Sequence, residues 1–255
     1  RETVEGKDPT NGYASKADNW SKNLVLETMA TYNKTFNRNH SLNVVAAFSY
    51  ERGDYGNKAM VATGFPQDLT EDFDMSAAVN PQKPTSGRGM TSLVSFLGRA
   101  NYNLMNKYLF TASFRRDGSS KFAPGNKWSN FASGAIAWRA SEEQFIKDLN
   151  VFSNLKFRAS YGQTGNQAIG AYATRDYLTV ANYPINGALA SGFANLTWRG
   201  PANPDLKWET TSQYNVGVDM GFFQNRINLT IDLYYKKTSD LLQNIQIPQS
   251  TGFSN

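Results

Sequence analysis

The feature that most constrains this chain is an alternation of apolar and polar residues with a period of two, sustained over stretches longer than ordinary soluble strands. From Ile227 to Tyr235 one parity carries Ile227, Leu229, Ile231, Leu233 and Tyr235, and the other Asn228, Thr230, Asp232 and Tyr234. From Tyr214 to Phe222 the apolar parity is Tyr214, Val216, Val218, Met220 and Phe222, against Asn215, Gly217, Asp219 and Gly221. Leu155, Phe157, Ala159 and Tyr161 separate in the same way from Lys156, Arg158, Ser160 and Gly162. So do Val94, Phe96, Ala100 and Tyr102 from Ser95, Arg99, Asn101 and Asn103, and Tyr108, Phe110, Ala112 and Phe114 from Thr111, Ser113 and Arg115. Successive side chains point to opposite sides of a strand, so each stretch reads as a strand with one greasy side and one wet side.

Composition limits what such strands can build. The chain is 40% hydrophobic and 13% aromatic but only 18% charged, with a mean hydropathy of −0.52, a mixture better suited to strands than to helices. No run approaches the roughly 18 to 20 apolar residues of a membrane-spanning helix, so a membrane protein with this sequence is a barrel. The absence of cysteine excludes disulfides, thiolate metal sites and cysteine nucleophiles. The single histidine, His40, has neither a second histidine nor a Gly-x-Ser-x-Gly elbow to work with, so the sequence predicts no enzyme and no cofactor. Net charge is +5, yet the basic residues are scattered singly, so nucleic acid is not an expected partner.

Connections between the strands alternate between short and long. Asn37-Arg38-Asn39, Met105-Asn106-Lys107 and Phe223-Gln224-Asn225 are tight turns, and the compact link Ala140–Phe152 offers a capping box from Ser141 and Gln144 on a short helix containing Phe145, Ile146 and Leu149. Long loops are expected at about 52–89, 117–127 and 163–207. Short turns at one end and long loops at the other are the pattern of an outer-membrane barrel, here with about eight strands, each able to cross a bilayer with its ~9 to 11 residues. Tyr102, Tyr108 and Trp138 toward the short turns, and Trp128, Tyr161, Trp208 and Tyr235 toward the long loops, read as two aromatic bands on the apolar parity. A soluble carbohydrate-binding or adhesive β-sandwich accounts for the alternation, but not for the two bands or the loop asymmetry.

The opposite parity then lines a lumen carrying Arg99, Arg115, Lys156, Arg158, Asp219, Asp232 and Lys236, groups that demand water or partners. A closed eight-stranded barrel fills its interior with its own side chains, so the polar interior and long loops predict one arc of a wider barrel. Among the loops, Tyr172, Tyr177, Tyr183, Phe193 and Trp198 are candidates for stacking on sugar faces or peptide side chains, or for a small loop core, and Arg115 is a further ligand candidate. Arg116-Asp117-Gly118-Ser119-Ser120 reads first as a turn. Asp68, Glu71, Asp72 and Asp74 offer oxygen ligands to calcium, but without an EF-hand pattern a solvated acidic loop is the favoured reading, and no metal site is expected. Arg52-Gly53-Asp54 at a strand end is not read as an adhesion motif.

Several segments carry a resemblance. Leu97-Gly98-Arg99-Ala100-Asn101-Tyr102-Asn103, the run from Lys107-Tyr108-Leu109-Phe110 to Arg115-Arg116-Asp117-Gly118-Ser119-Ser120-Lys121-Phe122, Phe131–Arg139, Leu155–Asn166, Asn203–Thr211 and Asp232–Leu242 resemble, in order, the barrel signature of the SusC/RagA family of TonB-dependent outer-membrane transporters. The resemblance spans about the last two thirds of the chain, while the first ninety residues share only strand character with the family. It implies an antiparallel up-and-down transmembrane β-barrel of about 22 strands with an N-terminal plug. It also implies a SusD-like surface lipoprotein as lid, TonB as energy source acting through the plug region, import of glycan oligosaccharides or peptides, and a Bacteroidetes outer membrane. By this likeness residues 1–255 are a partial barrel domain from the middle of the wall, without plug, TonB box or terminal strand.

Overall fold

A computed structural model describes residues 12–65, 73–176, 178–185, 188–195 and 201–251, with backbone alone for most of 178–195. The long strands are β1 (Tyr13–Phe36), β2 (His40–Thr63), β4 (Thr85–Leu104), β5 (Tyr108–Ser119), β6 (Trp128–Arg139), β7 (Phe152–Asn166), β10 (Glu209–Phe222) and β11 (Ile227–Ser239). A two-residue β3 (Asn80–Pro81) pairs with β2, and β8 (Leu178–Ile185) pairs with β9 (Ala188–Asn195) as a separate hairpin. The main sheet runs in the order β1-β2-β4-β5-β6-β7-β10-β11, the up-and-down path that the alternation predicts. Among the described residues no helix is long and apolar enough to cross a membrane.

The turns at the short end explain how non-glycine residues close these hairpins. Asn37 and Arg38, Met105 and Asn106, and Phe223, Gln224 and Asn225 all have positive φ, between 47° and 63°. Left-handed backbone matches the right-handed twist of the flanking strands, and Asn tolerates it best. The turns also bond to one another: the Met105 N–H donates to the Asn39 carbonyl at 2.6 Å, and the Arg139 N–H to the Lys107 carbonyl at 2.8 Å.

The chain divides into two units, Arg1–Leu24 with Arg52–Thr91, and Val25–Glu51 with Ser92–Asn255. In the first, Ala14, Ala62, Phe65 and Ala78 are buried together against Met75. Strand pairing there runs well into the stretch expected as loop, with β2 reaching Thr63 and β4 starting at Thr85. These residues are glycine-rich and have lost the apolar parity, because strands that rise out of lipid no longer need one greasy side. Pairing is supported instead by rings laid over glycines: Trp20 covers Gly56 and Tyr55 covers Gly89, and a Cβ at either glycine would run into the ring.

In the second unit the register puts like parity against like. Tyr161 pairs with Tyr214 and Tyr214 with Tyr235, their rings 4.7 and 6.4 Å apart, and Trp138 stacks on Phe157 at 5.7 Å. The apolar stripe is not covered by a second sheet: Ile136 is 57% exposed, Val216 60% and Leu233 72%. A sandwich would interleave these side chains, so that reading is set aside. Ala100, Ala112 and Gly134, in register across β4, β5 and β6, floor an apolar hollow of about 620 Å³ beside Tyr161 and Tyr214 on this face.

Three sequence expectations are corrected here. Trp208 is not in an aromatic band: it is 5% exposed, clustered with Phe122 and Phe131, and its Nε1–H donates to the Lys127 carbonyl at 2.9 Å. An indole N–H needs a partner when buried, and the loop carbonyl supplies it. The Ser141–Gln144 capping box does not form. Glu143 is the N-cap of α1 (Gln144–Lys147), and Gln144 donates forward to Asp148 at 2.8 Å. Asp117-Gly118 is not a turn but the end of β5, where Gly118 lies under the Trp128 ring.

Candidate lumenal site

The polar parity of the sheet holds two different arrangements. Across β7, β10 and β11, Arg158 sits opposite Gly217, and Gly217 opposite Asp232. The Arg158 guanidinium donates to both Asp219 oxygens, Nε to Oδ2 at 2.9 Å and Nη2 to Oδ1 at 3.0 Å, and its Nη2 also lies 3.0 Å from Asp232 Oδ1. Lys156 approaches Asp219 at 3.9 Å, and the Thr230 hydroxyl donates to it at 3.2 Å. One planar cation therefore joins three strands, in the forked geometry that suits carboxylates. Gly217 makes the reach possible, since a Cβ there would land on Asp232 Oδ1 and the Arg158 guanidinium.

Across β1, β2, β4 and β5 the same face carries uncharged groups. The Asn43 amide donates to Asn33 at 2.5 Å, Asn101 to Asn43 at 2.9 Å, and the Thr111 hydroxyl to Asn101 at 2.9 Å. Ser113 and Ser133 share a hydrogen bond of 2.6 Å between β5 and β6. Between this ladder and the arginine clamp lies a polar-face hollow of about 510 Å³, lined by Arg99, Thr111, Ser113, Ser133, Gln213 and Asn215 among others. Arg99 stands in it exposed and without an ion pair or hydrogen bond among the described residues. Hydroxyls and amides that both donate and accept, with one uncommitted cation, suit contact with a hydrated, polar solute.

The residues singled out in the sequence fall into separate places. Arg115 is held by Asp117, its Nε 2.8 Å from both carboxylate oxygens, and its Nη2 donates to Ser95 Oγ at 3.2 Å. Arg52 and Asp54 pair in the same i, i+2 manner at 2.9 Å on β2. Tyr172 lies in the loop after β7 with the Arg175 guanidinium 5.9 Å from its ring centre. Tyr183 falls on β8 and Phe193 on β9, whereas Tyr177 and Trp198 lie outside the described residues. The packed loop core is built from Phe122, Phe131 and Trp208, with Leu93, Ile169, Leu206 and Leu242 against it. The sequence offers little signal for that core, because its members come from distant loops.

Asp74 caps the 3-10 helix Met75–Ala77, accepting from the Ser76 N–H at 2.9 Å and its hydroxyl at 2.6 Å, bonds that hold its carboxyl below the usual carboxylate range. Asp68, Glu71 and Asp72 lie outside the described residues, and among the described residues no group of three or more His, Asp or Glu forms a metal-binding cluster. His40 bonds through Nδ1 to the Tyr102 hydroxyl at 2.5 Å. At the short-turn end, Glu143 receives Lys107 Nζ at 2.7 Å, the Tyr108 hydroxyl at 2.8 Å and Trp138 Nε1 at 3.5 Å. The Lys107 and Tyr108 bonds lower the Glu143 pKa, and the bond to Glu143 raises that of Lys107.

An antiparallel up-and-down sheet with an exposed apolar stripe, aromatic rows, a polar opposite face and tight turns at one end defines the wall of a transmembrane β-barrel. Residues 3–255 match the family described as TonB dependent receptor-like, beta-barrel. The chain belongs to this family of outer-membrane proteins. It is 37% identical over 238 residues to TonB-dependent receptor P3 of Formosa agariphila, covering 91% of this chain and 23% of that protein. It is 43% identical over 168 residues to TonB-dependent receptor SusC of Bacteroides thetaiotaomicron, covering 64% of this chain and 16% of SusC. It also superimposes on a chain from the structure of the RagAB peptide transporter with a TM-score of 0.81 at 26% identity, covering 97% of this chain and 27% of that one. The chain thus spans less than a quarter of these curated relatives. The family match reaches into the first ninety residues, where the sequence motifs alone carry no specific likeness.

Proposed function

We propose that this segment forms part of the wall of an outer-membrane importer for hydrophilic oligomers, glycan oligosaccharides or peptides, working with a SusD-like surface lipoprotein and powered through TonB. The observation that carries this reading is the amide- and hydroxyl-lined hollow around Arg99 on the polar face, with the apolar parity turned the other way. Such a wall offers hydrogen bonds to a solute that keeps much of its water, while ion pairing in the clamp keeps most charge committed. The likeness to a chain of the RagAB peptide transporter supports the peptide arm of this reading, and the likeness to TonB-dependent receptors supports the coupling to TonB. The loop that carries Tyr172 and the β8–β9 hairpin is the proposed place of further substrate contact.

Uptake by cells producing the full-length protein tests the reading. Labelled oligosaccharide and peptide pools should enter wild-type cells, fail to enter cells without TonB function, and enter more slowly with Arg99→Gln when the pool is acidic. Uptake that is indifferent both to TonB and to loss of the protein would remove the transport reading.

A further inference from the structure

The uncharged ladder on the polar face is a single row of the sheet, with one residue to a strand. Thr111 pairs with Asn101 in the register of β5 and β4, and side-chain bonds carry the row on to Asn43 of β2 and Asn33 of β1. In the other direction the register runs from Thr111 through Ala135, Ser160 and Asn215 to Tyr234 of β11. All of these residues belong to the second unit. Thr111, Ala135, Ser160 and Asn215 of the row line the hollow of about 510 Å³, and Gln213 braces Asn215 with a bond of 2.9 Å.

The ladder bonds all run one way, Thr111 donating to Asn101, Asn101 to Asn43 and Asn43 to Asn33. A carboxamide has two N–H donors and two oxygen lone pairs, so Asn43 and Asn101, each giving one ladder bond and receiving one, keep one N–H and one lone pair apiece. A sugar hydroxyl donates and accepts at one atom and so satisfies both. Spacing decides which polymer such rungs fit. Neighbouring strands lie ~4.7–4.9 Å apart, close to the length of one pyranose unit in a linear glycan, so successive sugars meet successive rungs. An extended peptide turns its amide groups to the same side only at every second residue, ~6.6–6.8 Å, and is out of step with the rungs after one strand. Tyr234 closes the row with a flat ring on which the C–H face of a sugar can stack.

We infer that Asn33, Asn43, Asn101 and Thr111 form a track that seats a linear pyranose chain across the strands, one sugar to a strand, and that this track makes the wall favour glycans over peptides. The inference deepens the importer reading and rests on it.

The test measures uptake by cells producing the full-length protein, with two equally labelled probes: linear neutral oligosaccharides from partial hydrolysis of starch, cellulose and mannan, and a tryptic peptide digest. Asn43→Val/Asn101→Val removes two rungs, whereas Asn43→Thr/Asn101→Thr has the same shape and keeps a hydroxyl at each. Both β-branched residues suit a strand, and heat-modifiable gel mobility should show both variants folded. The ratio of glycan to peptide uptake should fall about tenfold in the valine pair, the factor expected for two lost hydrogen bonds, and stay near wild type in the threonine pair. A ratio unmoved by the valine pair, a ratio that falls equally in the threonine pair, or a wild type that takes up peptides but no glycan would each overturn the track and leave the importer reading standing. Uptake of neither probe by wild type would remove the importer reading and the track with it.

Discussion

Val218 and Asp219 are neighbours on β10, yet they belong to surfaces built on opposite principles. On the Val218 side cohesion comes mainly from shape: Val218 lies beside Phe157 and Ile231 in register, with Tyr214 and Val216 further along the strand. On the Asp219 side every charge in the clamp is matched, Arg158 and Lys156 against Asp219 and Asp232. The difference teaches that one strand can satisfy two solvents, because alternation assigns each residue to a side and the register assembles each side across strands. It also distinguishes two kinds of polar surface, an ion clamp that uses up its charge and an amide–hydroxyl ladder that keeps donors and acceptors available.

The largest effect should come from forcing the wrong chemistry onto the apolar side. Val218→Arg or Ile231→Arg in the full-length protein should cost about 2–4 kcal/mol near the bilayer midplane, whereas Asn215→Arg on the polar side should cost far less. Reversible unfolding from liposomes measures both, and equal costs would break the comparison between the faces. Next in size is the clamp: Arg158→Met leaves two carboxylates facing each other and should cost about 1–3 kcal/mol in the same assay. Gly217→Ala should cost a comparable ~1–3 kcal/mol by overpacking the gap that Arg158 crosses. If Gly217→Ala is neutral while Arg158→Met is costly, Arg158 holds Asp219 alone and the three-strand span is unimportant. A smaller loss is expected in the ladder, where Asn43→Ala removes bonds to Asn33 and Asn101 and should cost about 0.5–1.5 kcal/mol.

The smallest predicted effect concerns the clasp of Glu143 with Lys107 at the short-turn end. Glu143 is depressed, so its contribution is present above the ordinary carboxylate range and is lost as pH falls through its lowered value. Lys107 is raised, so its contribution holds below the ordinary lysine range and is lost as pH rises through its elevated value. Protection factors of the amides of residues 139–151, taken against the intrinsic exchange rate at each pH, should therefore be highest near neutral pH and fall at both extremes, and Glu143→Gln should abolish the acid arm.

Much of this fold was legible before any coordinates, because lipid on one side and water on the other force a period of two that survives in sequence at 155–161, 214–222 and 227–235. Where that force lapses, legibility lapses too. Residues 52–63 extend β2 without an apolar parity, held by backbone pairing and by rings over glycine, and so read as loop. Trp208 has the spacing of an interfacial aromatic but is buried against Phe122 and Phe131, a contact set by loops that periodicity does not address. Parity placed Arg158, Asp219 and Asp232 on one side, but their meeting across Gly217 depends on the register of β10 against both β7 and β11, which composition does not set. The same is true of Arg115, whose commitment to Asp117 is a matter of side-chain geometry.

The central claim is tested most directly by spin-labelling single cysteines along residues 214–222 of β10 in an otherwise cysteine-free full-length protein in liposomes. Labels at 214, 216, 218 and 220 should be relaxed by lipid-soluble oxygen, and labels at 215, 217, 219 and 221 by a water-soluble nickel chelate. Accessibility that fails to alternate, or that places Val216 and Val218 out of reach of oxygen, would contradict the account.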